Sequence, residues 1–246
     1  MKILVAISMV PDTTTKIAFT DQNTHFNKDK VQFIINPYDE WYALVRALEL
    51  KEKLGGTVTT ITVGGADHEA IIRKALAIGA DDAVRIDAEP SDGFFVASQI
   101  AAYAQGKSFD LILFGKETID FNSSEVGAMT AGLLDLPFVS LANALDLEGS
   151  TAKMEREIAG GKESFTCTLP LVLSCNKGMA EARIPNMRGI MAARTKPLQV
   201  IPAIAAEVLT SISQFELPKE KAGVKLIPAD NAAELIRLLH EEAKVI

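Results

Sequence analysis

The residues most able to do chemistry lie together in one stretch, "LILFGKETIDFNSSEVGAMTAGLL", from Leu111 to Leu134. It begins and ends as an apolar run. Between them stand Gly115, Lys116, Asp120, Asn122, Ser123, Ser124, Glu125, Val126 and Gly127. Small residues at the end of a strand let a flat ligand approach the backbone. Asn122, Ser123 or Ser124 can cap the helix that follows. The first amides of such a helix attract phosphate. The sharp reading is therefore a nucleotide-like ligand with its phosphate near Ser123–Gly127. The plain reading is an ordinary capped strand-to-helix loop, and the residues alone leave both open. Glu125 opposes the sharp reading unless its carboxylate turns away from the phosphate.

Other motifs fail on spacing or context. "AQGKS" ends like a phosphate-binding P-loop, but Ala101 stands where the first glycine is required. No G-x-G-x-x-G and no G-x-S-x-G occurs. His25, His68 and His240 are scattered, with no ligand spacing between them, so no metal site is expected. No catalytic constellation emerges, which favours a binding or carrier subunit over a free-standing enzyme.

The elements that must position this stretch follow from hydrophobic period. Ile3–Ile7 is a short, β-branched apolar run typical of a strand buried on both faces, and Val58–Val63, Val84–Ile86 and Leu111–Phe114 read as further strands. Helical stripes alternate with them: Trp41, Leu44, Val45 and Leu48; a segment ending near Ile78; about Asp92 to Ala104; and Gly127–Leu134. Asn36 is a plausible N-cap with Pro37 at the first helical position and Asp39 in the first turn, and Gly55–Gly56 stop that helix. Lys16–Phe19 and Val31–Ile35 flank a polar turn and could pair. The alternation predicts an α/β fold, a mainly parallel sheet with helices on both faces. In such sheets ligands lie beyond the carboxyl ends of the strands, here Ala6 and Ser8, Val63–Gly65, and Gly115.

After Pro137 short strands dominate: Leu145–Leu147, Lys153–Ile158, Ser164–Leu169 and Leu171–Ser174. From Asn176 to about Gln214 no period survives. A final amphipathic helix, Ala232–Ala243, carries Leu235, Ile236 and Leu239 on one side. The division expected is a nucleotide-binding domain over 1–195 and a C-terminal arm over 196–246 that packs on a partner.

Bulk numbers bound the classes. The 246 residues are 48% hydrophobic, enough for a sizeable core. The net charge of −7 opposes non-specific nucleic-acid binding. No apolar run approaches the ~18–20 residues that cross a bilayer, so direct membrane insertion is not expected. "MKILVAISMVPD" reads as a first strand, not a signal peptide. Cys167 and Cys175 lack C-x-x-C spacing, and free thiols in a reducing cytoplasm are expected.

The ordered set "ILVAISMVPD", "NPYDE", "ALAIGADDA", "GKETIDFNSSEVGAMTAGLL", "MEREIAGGKE", "LPLVLSCNKGMAEARIPNMRGIMAAR" and "KAGVKL" resembles the β subunit of electron transfer flavoprotein over nearly the whole chain. The resemblance implies a heterodimer with a larger α subunit that holds most of a redox-active FAD. The β subunit then buries an AMP, or a second FAD in electron-bifurcating members. Carried onto this chain, the AMP site comprises Ala6, Asn36, Pro37, Tyr38, Asp39, Val63 and the loop from Lys116 to Gly127. The family loop often has glycine after the aspartate; Phe121 follows Asp120 here, which argues against a second FAD. Thr13 follows Asp12 where an aromatic is common near the flavin. The segment 178–196 is similar to the loop that docks partner dehydrogenases, with Arg183, Ile184, Met187 and Ile190 as its contacts and Met187 at the anchoring leucine position. Glu157 resembles the glutamate that pairs with an α-subunit arginine. Rival classes are an adenine-nucleotide-binding enzyme and a stress-type regulator. "ISMVPD" lacks the Ser-Gly-Gly loop of the first, and "GKETIDFNSSEVG" lacks the glycine-rich motif of the second.

Overall fold

The buried β-branched runs assemble into one sheet in the computed structural model, which describes residues 1–37, 39–220 and 223–246. Tyr38, an expected nucleotide contact, lies outside the described residues. In chain order the first elements are β1 (Lys2–Ala6), β2 (Met9–Pro11), β3 (Phe19–Thr20), β4 (His25–Phe26), β5 (Phe33–Ile35), α1 (Asp39–Leu54), β6 (Thr57–Val63), α2 (Glu69–Ile78), β7 (Asp82–Asp87), α3 (Gly93–Ala104) and β8 (Leu111–Gly115). They continue with α4 (Val126–Leu134), β9 (Phe138–Ala142), β10 (Ala144–Glu148), β11 (Thr151–Ile158), β12 (Gly161–Thr168), β13 (Leu171–Cys175), α5 (Met187–Ala193), β14 (Leu198–Pro202) and α6 (Ala232–Glu241).

Seven strands form the main sheet in the order β14-β7-β6-β1-β8-β13-β9. Every pairing within it is parallel. The chain steps outward from β1 through β6 to β7, then returns to the other side of β1 as β8. That reversal opens a crevice at the carboxyl ends of β1 and β8, where open α/β sheets bind ligands. Alternate strand residues feed two cores. Ile3 and Val5 join α1 and α2 on one face. Leu4 and Ala6 join α3 and α4 on the other. The antiparallel sheet β10-β11-β12 extends the first core through Leu145, Leu147, Ala152 and Met154.

Three departures from the sequence reading have physical reasons. Val31–Ile35 does not pair with Lys16–Phe19. Phe33–Ile35 pairs with Met9–Pro11, and Phe19–Thr20 closes on His25–Phe26. Asn36 does not cap α1, which starts at Asp39; its side chain is bound to the loop after β8. Finally, β9, α5 and β14 carry no period of their own. Leu198–Pro202, inside the stretch expected as the arm, pairs with β7 as an edge strand of the main sheet.

Candidate nucleotide-binding site

A cavity of about 270 Å³ lies at the crevice. Its floor is the ends of three strands: Ala6 after β1's buried run, Ile61 and Val63 of β6, and Phe114 with Gly115 of β8. Val96 and Ile100 of α3 form an apolar wall. A flat, partly apolar ligand fits such a slot.

The floor is set by the first turn of α1. Glu40 is buried and faces Ser8, whose N–H donates to Glu40 Oε2 at 2.7 Å and whose O–H donates to Oε1 at 2.5 Å. Burial pushes the Glu40 carboxyl up to about 8, although the Ser8 bonds pull it down and Asp120 and Asp39 add to the rise. Burial likewise raises Asp39 to about 6, with Lys116 opposing and Glu117 assisting.

The loop after β8 is held in place by Asn36. Its Nδ2 donates to the Glu117 carbonyl at 2.7 Å, and its Oδ1 accepts the Ile119 N–H at 3.0 Å. Ser124 Oγ donates to Glu117 Oε2 at 3.1 Å. Asn122 and Ser124 take left-handed backbone, φ 52° and 55°. Neither residue, nor Ser123, caps α4 as expected. Glu125 occupies the N-cap position and makes no side-chain cap hydrogen bond. Its carboxylate turns aside onto Gly93, where an added Cβ would lie 2.2 Å from Oε1. Two helix starts thus face the cavity in different states. Asp92 caps α3 by accepting the Phe95 N–H at 2.7 Å. The first amides of α4 have no side chain of their own to receive them, the arrangement that takes a phosphate.

Among the expected contacts, Ala6, Val63, Lys116, Asp120, Ser123, Ser124, Glu125, Val126 and Gly127 line the cavity. Asn36, Pro37, Asp39 and Asn122 do not. Asn36 is fully buried behind the loop it holds, and Asn122 is exposed with its amide toward the Ile119 carbonyl at 3.4 Å. Glu40, His68, Asp92 and Thr210–Ile212 line it as well. Glu40 had a signal, a second acid beside Asp39 in a first turn. Thr210–Ile212 had none. Among the described residues no group of three or more His, Cys, Asp or Glu could hold a metal, and no helix is long and apolar enough to cross a membrane.

The expected docking segment forms the short helix α5 against α2. Asn186 caps it through the Gly189 N–H at 2.8 Å. Gly189 rests on the Ala77 carbonyl, which an added Cβ would approach to 2.4 Å. Arg73 Nη1 donates to the carbonyls of Ala193 and Lys196. Arg183 is engaged by its own chain, in two hydrogen bonds to Glu52 at 2.6 and 3.1 Å, while Trp41 Nε1 donates to its carbonyl. Ile184 and Met187 are 83% and 74% exposed, and Ile190 is also exposed. Glu157 is exposed near the end of β11, opposite Lys162.

A seven-stranded parallel sheet flanked by helices, with this cavity at its reversal, defines the class, an α/β protein of Rossmann-like architecture. The electron transfer flavoprotein domain model matches residues 24–206. Relatives named electron transfer flavoprotein subunit beta are 38% identical in Bacillus subtilis, over all of both chains, and 34% in Homo sapiens, over all of this chain and 99% of the other. One from Syntrophomonas wolfei is 36% identical over 92% of this chain and 90% of its own. The chain belongs to the electron transfer flavoprotein family, among its β subunits.

Proposed function

We propose that this chain is the AMP-burying β subunit of a heterodimeric electron transfer flavoprotein, a carrier of electrons and not an enzyme. One observation carries the nucleotide assignment: the start of α4, where Glu125 makes no side-chain cap hydrogen bond, stands over an apolar slot at the sheet's reversal. The amides of Val126 and Gly127 with the hydroxyls of Ser123 and Ser124 would hold the phosphate. The strand ends at Ala6 and Val63 would face the base. Asn36 and Asp39 would act from behind, through the loop and the first turn of α1.

The FAD, held mainly by the larger α subunit, supplies the redox chemistry when bound. This chain contributes a rigid wall to that complex and, on α5, an exposed apolar surface for dehydrogenases that deliver electrons. Glu157 would face an α-subunit arginine, and the arm beyond β14 would pack on that subunit. Two free thiols suit a reducing cytoplasm. The alternative, a second FAD in this cavity, needs room for a dinucleotide; about 270 Å³ lies at the small end for ligand sites.

The test is to denature the complex purified with its α subunit and weigh the released nucleotides. One AMP and one FAD per heterodimer are expected. Two FAD and no AMP would establish the alternative, and no adenine nucleotide beyond one FAD would refute the site.

A further inference from the structure

The segment from Ile204 to Phe215 runs beside the cavity and is fastened at three points. At the first, Gln99 of α3, itself buried, exchanges two hydrogen bonds with Ile204: its amide donates to the carbonyl at 3.0 Å and its Oε1 accepts the N–H at 2.9 Å. At the second, Asp92 Oδ2 accepts the N–H groups of Leu209 and Thr210 at 2.7 and 2.8 Å, while Oδ1 caps α3. At the third, the Phe215 N–H donates to the Asn23 carbonyl at 2.7 Å, and its ring stacks on Phe19 with centroids 4.8 Å apart. Thr210 at the second point, with Ser211 and Ile212 just beyond it, lines the cavity.

We infer that this strap and its Asp92 clasp make the site selective for a nucleoside monophosphate over ligands that carry a pyrophosphate. The inference rests on the nucleotide reading above. One phosphate is satisfied at the start of α4. A second phosphate reaching toward the neighbouring helix start would not find free amides there. It would meet the Asp92 carboxylate, already filling that role, and the Glu125 carboxylate lying on Gly93. Like charges lining one partly desolvated cavity disfavour the ligand strongly. Relieving the clash requires Asp92 to leave, which unfastens Leu209 and Thr210 and opens the strap. The same fastening retains a bound monophosphate, because it holds Thr210–Ile212 against the cavity.

The experiment uses the complex with the α subunit, stripped of nucleotide and titrated with AMP and ADP. Asp92→Asn keeps a cap for α3 but replaces one carboxylate oxygen with a second donor facing the Leu209 and Thr210 amides. Phe215→Ala loosens the far end and touches neither charge nor cavity. The parent is expected to favour AMP over ADP by about a hundred-fold, and Asp92→Asn to narrow that ratio at least about ten-fold. Both variants should release AMP about ten-fold faster, with faster hydrogen exchange over 204–215. Unchanged selectivity and release in variants whose 204–215 amides exchange faster would overturn the inference while leaving AMP binding intact. Unchanged exchange in both variants would overturn the fastening itself. A parent complex that binds no AMP would overturn the nucleotide reading and this inference with it.

Discussion

Glu40 is the group whose replacement is most informative. Its carboxyl rises from 4.5 to about 8 in the folded chain, through burial first. The folded state therefore binds more protons than the unfolded chain between those values, and stability falls as pH rises through that window. Each pH unit corresponds to about 1.4 kcal/mol, so the penalty is ~1 kcal/mol at pH 5.5 and ~3 kcal/mol at pH 7. Glu40→Gln removes the titration. It keeps an oxygen for the Ser8 N–H and offers its amide to Ser8 Oγ. For a chain of this size the gain corresponds to about 2–4 °C in melting temperature at pH 5.5 and about 6–12 °C at pH 7. Asp39, raised to about 6, titrates in both proteins and cancels to first order in the difference. The assay is thermal melting of the α-bound complex with saturating AMP, parent beside variant, from pH 5.5 to 8.5. Parallel profiles, or a variant that falls further below the parent as pH rises, would refute the reasoning.

Ser124→Leu places a bulky side chain on left-handed backbone at the cavity and removes the bond to Glu117; loss of bound AMP and a lower melting temperature are expected, with the flavin potential unchanged by spectroelectrochemistry. Met187→Ala, at a side chain 74% exposed, should slow reduction by the cognate dehydrogenase about ten-fold at sub-saturating partner; flavin content and melting temperature should hold, as stopped-flow and spectra will show. Gly189→Ala should push α5 off the Ala77 carbonyl and weaken the same docking step, while nucleotide content, measured by mass after denaturation, stays at the parent's value.

The parallel sheet was legible because its strands are buried on both faces and announce themselves as apolar or β-branched runs, Ile3–Ile7 above all. β9 was hidden because Phe138–Ala142 is only partly covered and shows neither an unbroken buried run nor a clean alternation. β14 was hidden for a related reason: as an edge strand it leaves Val200 half exposed and reads like linker. At the site, the loop after β8 stood out by composition. The role of Asn36 did not, since an Asn-Pro pair before a helix signals a cap, and only long-range folding brings Glu117 and Ile119 to it. Thr210–Ile212 reach the cavity through Asp92, over a separation in sequence that no local pattern records.

The sheet has one more consequence, as a partition. α5 joins the core on the α1–α2 face, through Ala193, whereas the apolar wall of the cavity is α3, and from the helices on the α5 side only Glu40 at the start of α1 and His68 before α2 reach it. No side chain of α5 shares a cavity-lining position, and the strands between the two faces are fixed by a continuous parallel ladder. Perturbations of α5 and of the cavity meet only at the starts of α1 and α2, through Trp41 beside Glu40 and through α2 behind His68, so away from those two points their free energies should add. The docking helix is then free to diversify toward different redox partners without renegotiating the nucleotide site, and a chimaera that exchanges only residues 183–194 keeps the retention properties of its host.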